Sequence, residues 1–133
     1  MYLALLEDKE KELFLGLAYN LAAVDGDYSD AERAIIAGYC QEMFMDFDEN
    51  TMIKPIEMII EELGGSTERA KKIVIFESIG LAMSDGNYDN LERNIVAQMC
   101  DAFGIDKTYV DNCEKMLNDY ISFQNDLNAL VVG

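Results

Sequence analysis

Residues 21–40 and 81–100 are the same twenty-residue block, sixty positions apart and aligned without a gap. Ten positions are identical: Leu21, Ala22, Asp25, Gly26, Tyr28, Glu32, Arg33, Ile35, Ala37 and Cys40 recur as Leu81, Ala82, Asp85, Gly86, Tyr88, Glu92, Arg93, Ile95, Ala97 and Cys100. A repeat of this kind is a supersecondary unit that cannot bury its apolar face alone. Two copies are too few for an open solenoid, so they should close on each other. The expected fold is all-α: a compact bundle of six to seven helices. It would be built from duplicated helix-hairpin-helix units, about 8–65 and 67–125, with pseudo-two-fold symmetry. The chain has 133 residues, half of them apolar, which suits one domain over 1–133 with a sizeable core.

Apolar residues recur at helical spacing throughout, and turn signals fall at helix-length intervals. Leu13, Leu17, Leu21 and Val24 mark a first long helix from about Asp8, stopped at Asp25-Gly26. The second runs from Ser29 to about Asp46, with Ile36, Tyr39, Cys40 and Met43 on one face. A loop over Phe47 to Lys54 leads to Pro55, which opens a short helix ended by Gly64-Gly65. Ser66 is the expected cap of a fourth helix to Ser84. A fifth spans Asp89 to Phe103, Gly104 ends it, and Asp106 caps a last long helix. Met1 to Leu6 is apolar enough to dock, as a further short helix.

The formal net charge is −16. Nucleic acid and anionic lipid both need Lys and Arg to displace counterions, so neither is an expected partner, and direct membrane insertion is not expected either. A protein with a basic surface is. No apolar run approaches the ~18 residues of a membrane span. Three cysteines, no Cys-x-x-Cys and no signal peptide point to a reduced, cytoplasmic setting. Without histidine, His-based catalysis and His metal sites are excluded. No nucleophile–base pair or phosphate loop is visible, and the chain is not expected to be an enzyme.

Each repeat reads Asp-Gly-x-Tyr-x-x-x-Glu-Arg. Folding alone accounts for every identical residue. Gly26 and Gly86 end one helix, and Ser29-x-x-Glu32 and Asp89-x-x-Glu92 are capping boxes that open the next. Arg33 and Arg93 can pair with an acid, and Tyr28 and Tyr88 can pack over the turn. The competing reading is chemical. Asp25, Asp27, Asp30 and Glu32 crowd four carboxylates into eight residues, and hard divalent ions take such all-oxygen sets. The candidate metal ligands are Asp25, Asp27, Glu32, Asp85 and Glu92, for Ca2+, Mg2+ or Mn2+. The second set is thinner, with Asn87 and Asn90 in place of two acids. Asp46 to Glu57 also matches a calcium loop at several positions, but Thr51 stands where the sharp turn wants Gly. Cys40 and Cys100 fall on apolar stripes and are expected to be small buried core residues.

The doubled Asp-Gly-x-Tyr-Ser/Asp-x-x-Glu-Arg hairpin, in an acidic helical chain, resembles the TerB family of tellurite-resistance proteins. A related domain stands at the N-terminus of some DnaJ-like co-chaperones. The resemblance covers about residues 8 to 125. It implies a compact fold of roughly seven helices and an acidic face that binds metal ions or protein partners in stress systems, with the family's acids at Asp25, Glu32, Asp85 and Glu92. A tellurite oxyanion should itself avoid a surface of this charge. The function expected is therefore a non-enzymatic acidic adaptor in a stress or metal/tellurite response. The alternative is a divalent-ion sensor or buffer. The oligomeric state is left open, a homodimer included.

Overall fold

A computed structural model describes residues 1–23, 29–84 and 88–133. Among the described residues, seven α-helices follow a 3-10 turn at Leu3–Leu5: α1 (Asp8–Ala22), α2 (Asp30–Met43), α3 (Glu49–Met52), α4 (Ile56–Leu63), α5 (Glu68–Ser84), α6 (Asn90–Phe103) and α7 (Lys107–Val131). No strand occurs among the described residues.

The core is organised around α1 and α5, which pack on each other. Past their charged first turns both are apolar nearly all round, the pattern of a helix enclosed by others. From α1, Leu13, Phe14, Leu15, Leu17, Ala18 and Leu21 are buried. From α5, Ile73, Val74, Ile75, Ile79, Leu81 and Ala82 are buried, as are Glu77 and Ser78. Ser78 satisfies its hydroxyl by donating to the Val74 carbonyl at 2.7 Å. The remaining helices cover this pair: α2, α3 and α4 lie on α1, and α6 and α7 lie on α5. The N-terminal segment docks as expected, with Leu3 and Leu6 in the core. Its polar groups converge on two carboxylates. Tyr2 N–H and the Met1 amine each reach Glu77 Oε1 at 2.9 Å, and Leu3 N–H reaches Glu42 Oε2 at 3.2 Å. The buried Glu77 therefore has partners, as a carboxylate in a core requires.

Helix ends follow from local chemistry. The Glu7 N–H donates to Glu10 Oε1 at 2.8 Å as α1 begins. The cap of α5 is Thr67, whose hydroxyl accepts from Ala70 N–H at 3.2 Å, and not Ser66. Asp106 caps α7 through Thr108 N–H at 3.1 Å. The stops of α2 and α6 lie sixty residues apart and share one geometry. Met45 N–H bonds the Cys40 carbonyl at 3.0 Å, and Ile105 N–H bonds the Cys100 carbonyl at 3.1 Å. This six-to-one closure puts one residue in the left-handed region. In α6 that residue is Gly104, at φ 69°; in α2 it is Phe44, at φ 55°. Expecting α2 to run to Asp46 misses this, because no glycine marks the stop.

Two further expectations are corrected. The loop expected over Phe47 to Lys54 holds a helical turn, Glu49–Met52, with Asp48 Oδ1 accepting from the Asn50 N–H at 3.0 Å; the calcium-loop winding that Thr51 speaks against is not formed. Cys100 and Cys113 are buried, but Cys40 is only half-buried. Its thiol is still pushed up, by burial and then by the Asp46 charge, so it remains a poor thiolate.

Gly16, in the middle of α1, has a tertiary purpose. A Cβ there would run into the Met52 carbonyl oxygen and press on Ile59. One turn on, Asn20 Nδ2 bridges the Gly16 carbonyl at 2.8 Å and the Lys54 carbonyl at 3.0 Å, clamping the α3–α4 connection onto α1. In an open helix Gly→Ala gains about 1 kcal/mol. Here the backbone would have to move, and overpacking of this kind costs about 1–3 kcal/mol. Gly16→Ala should therefore lower stability in a urea titration; an increase would mean that α3 does not pack on Gly16.

Candidate functional site

The repeated Glu opens the same helix position in both copies. At α2, Glu32 N–H donates to Ser29 Oγ at 3.3 Å, while Ser29 N–H reaches back to Glu32 Oε1 at 3.2 Å. At α6, Glu92 N–H donates to Asp89 Oδ1 at 3.0 Å, and Asp89 N–H reaches Glu92 Oε1 at 3.4 Å. Both are reciprocal capping boxes, as the spacing predicts. Glu32 and Glu92, two of the five candidate metal ligands, are thus helix caps. Asp25, Asp27 and Asp85 lie outside the described residues, as do Val24, Gly26, Tyr28, Gly86 and Asn87. Among the described residues, no three acidic or thiol side chains gather into a set that could hold an ion.

Beyond the caps, the two copies differ. The second is tied to α7. Arg93 lies 4.0 Å over the Tyr88 ring and donates to Glu114 Oε1 at 3.3 Å. Burial, then the Glu114 charge, raises the Tyr88 phenol well above its usual range, so it stays neutral. Glu92 itself is buried, 6% exposed. In the first copy Arg33 meets Glu49 of α3 at 3.7 Å, both largely in water, a pairing worth little. There one carboxylate oxygen, Glu32 Oε2, is shielded from solvent with no hydrogen-bond partner among the described residues. An oxygen of this kind normally calls for a donor or a cation.

An open groove runs beside α2, lined by Ile36, Cys40, Phe44, Asp46, Phe47 and Glu49. Phe44 stands on it 94% exposed. A bulky side chain in left-handed backbone costs about 1–2 kcal/mol, and nearly all of this ring faces water. Asp46, Asp48 and Glu49 are exposed on the following turn, and Asp30 at the start of α2. Sequence reasoning passes over Phe44; the signal that could have found it is the comparison with Gly104, sixty positions on.

No curated protein and no solved structure matches the chain. Residues 11–115 match the family described as tellurite resistance protein TerB. That span holds both capping boxes, the α1–α5 core and the Arg93–Glu114 tie, and the chain belongs to the TerB family.

Proposed function

We propose that this TerB-family chain is a non-enzymatic acidic adaptor that docks a basic protein surface, working in the cytoplasm in a stress or metal/tellurite response. The observation that carries the reading is Phe44: an aromatic ring held in water, at a cost in backbone strain, on a groove that Asp46, Glu49 and Arg33 also line. Strain of this kind at an exposed position is more readily understood as serving recognition than folding. The net charge of −16 favours cationic partners and speeds their encounter. Asp46 beside Phe44 would pair with Lys or Arg around an apolar anchor, as would Glu49 on exchanging its weak, water-exposed pairing with Arg33. The unpaired thiols fit a reducing compartment. Among the described residues, no helix is long and apolar enough to cross a membrane.

A second reading is favoured by one specific observation, the partnerless Glu32 Oε2. With Asp25 and Asp27, close before it in the sequence, it would be an oxygen ligand for Ca2+, Mg2+ or Mn2+. Glu92 is buried and tied into its cap with Asp89, and Asp85 has fewer acidic neighbours in the sequence. The first hairpin is therefore the better ion site.

Two outcomes test these readings. Phe44→Gly should stabilise the fold by about 1 kcal/mol, because Gly takes the left-handed position without strain. The same change should weaken binding of a lysine-rich amphipathic peptide roughly tenfold in a calorimetric titration, as loss of an aromatic anchor does. Asp101→Asn, which removes one charge on α6 where Phe44→Gly removes none, should leave that binding nearly intact. Weakening by Asp101→Asn with none from Phe44→Gly would reduce the docking to bulk charge. For the ion, a melt with saturating Ca2+, Mg2+ or Mn2+ should gain about 2.7 kcal/mol at a hundredfold excess over Kd, and Glu32→Gln should abolish the gain. No shift with any of the three ions would end the second reading.

A further inference from the structure

The last helix outruns the domain. Cys113 and Leu117 are its last buried residues, and every position from 118 onward is exposed. α7 continues to Val131, so it projects roughly 20 Å beyond its last core contact at 1.5 Å per residue. A helix wholly in water would be expected to be polar all round. This one is not. Tyr109, Cys113, Met116, Tyr120, Phe123, Leu127 and Leu130 follow each other at alternating steps of four and three. That period of 3.5 is the seam of a two-helix coiled coil, not the broader stripe of a helix lying on a globular core. From Met116 onward the seam is uncovered: Met116 is 66% exposed, Phe123 62% and Leu130 82%.

We propose that this seam pairs with the same seam of a second copy, antiparallel, giving a two-fold dimer. Three observations select that occupant. First, the seam is continuous with an apolar groove on the domain, lined by Phe76 and Ile73 of α5 together with Tyr109, Cys113 and Met116 of α7. One copy thus carries a projecting stripe and a receiving groove on one face, and an antiparallel two-fold pairing lets each copy fill the other, as an isologous interface requires. The layers then place Met116 opposite Leu127 and Tyr120 opposite Phe123 across the axis. Second, charge permits it. In a chain of net charge −16, Asp119 and Asp126 are the only charged side chains between 118 and 133, so two copies repel least here. Third, the area suffices. With aromatic side chains presenting about 150–250 Å² each, the five uncovered seam residues leave roughly 600 Å² in water. A pair would cover about 1,200 Å², the lower edge of specific interfaces, before the groove is added.

Sedimentation equilibrium of the full chain over a range of concentrations tests this. A reversible dimer is expected. Leu127→Asp and Phe123→Asp, at exposed positions with no core contact, should each weaken it roughly a hundredfold while leaving the circular dichroism and melt of the domain unchanged. A wild-type chain that stays monomeric at every concentration would overturn the proposal and assign the seam to another protein. A dimer that survives both substitutions would place the interface elsewhere and overturn it equally.

Discussion

Everything else in this molecule is arranged around the burial of α1 against α5. Past their charged first turns, neither helix has a polar face wide enough to meet water, so each must be enclosed. With nine buried positions on α5, the remaining helices have little freedom but to cover it. That enclosure explains why the few polar groups inside are all engaged. Glu77 takes the N-terminal segment, and Ser78 bonds back to its own helix. It also explains Gly16: once α3 and the following connection are pressed onto α1, one position has no space for a side chain.

The covering helices must start and stop sharply, and there the repeated signature acts. Reciprocal caps at Ser29–Glu32 and Asp89–Glu92 fix the first turns of α2 and α6, and a left-handed residue ends each. The chemistry of the two copies then diverges. The second uses Arg93, Tyr88 and Glu114 to tie α6 to α7, and so reads as structural. In the first, among the described residues, Arg33 meets Glu49 in water, a cap oxygen has no hydrogen-bond partner, and an aromatic ring is held out beside acids. The asymmetry, more than the repeat, points to where a partner or an ion would act.

What could be read from the sequence follows the range of the forces involved. The all-helical class, the caps at Ser29, Asp89 and Asp106, and the stop at Gly104 were legible because each is set within four residues by local hydrogen bonding. The end of α2 was not, because Phe44 adopts a conformation that its side chain disfavours, and only the surrounding packing imposes it. α3 leaves no mark in the sequence, because four residues are too few to show a period. Thr67 displaced Ser66 as a cap by one position, within the ambiguity of neighbouring hydroxyls. The half-exposure of Cys40 and the clamp at Gly16 depend on which helix lies across them, which no local pattern encodes. Of the five candidate ligands, Glu32 and Glu92 were correctly placed as caps, and their unequal burial came only from the tertiary structure.

The most direct measurement is the stability of Glu92→Ala and Glu32→Ala by urea unfolding in the presence of a chelator. If the repeated carboxylate is first a brace for a helix start, Glu92→Ala should cost about 1–2 kcal/mol, because a buried cap is lost. Glu32→Ala should cost distinctly less, because the same truncation also removes an oxygen that is buried without a partner. Stability that is unchanged or raised in both variants would mean that the carboxylates oppose folding until a cation arrives, and that the hairpins are ion sites before they are helix caps.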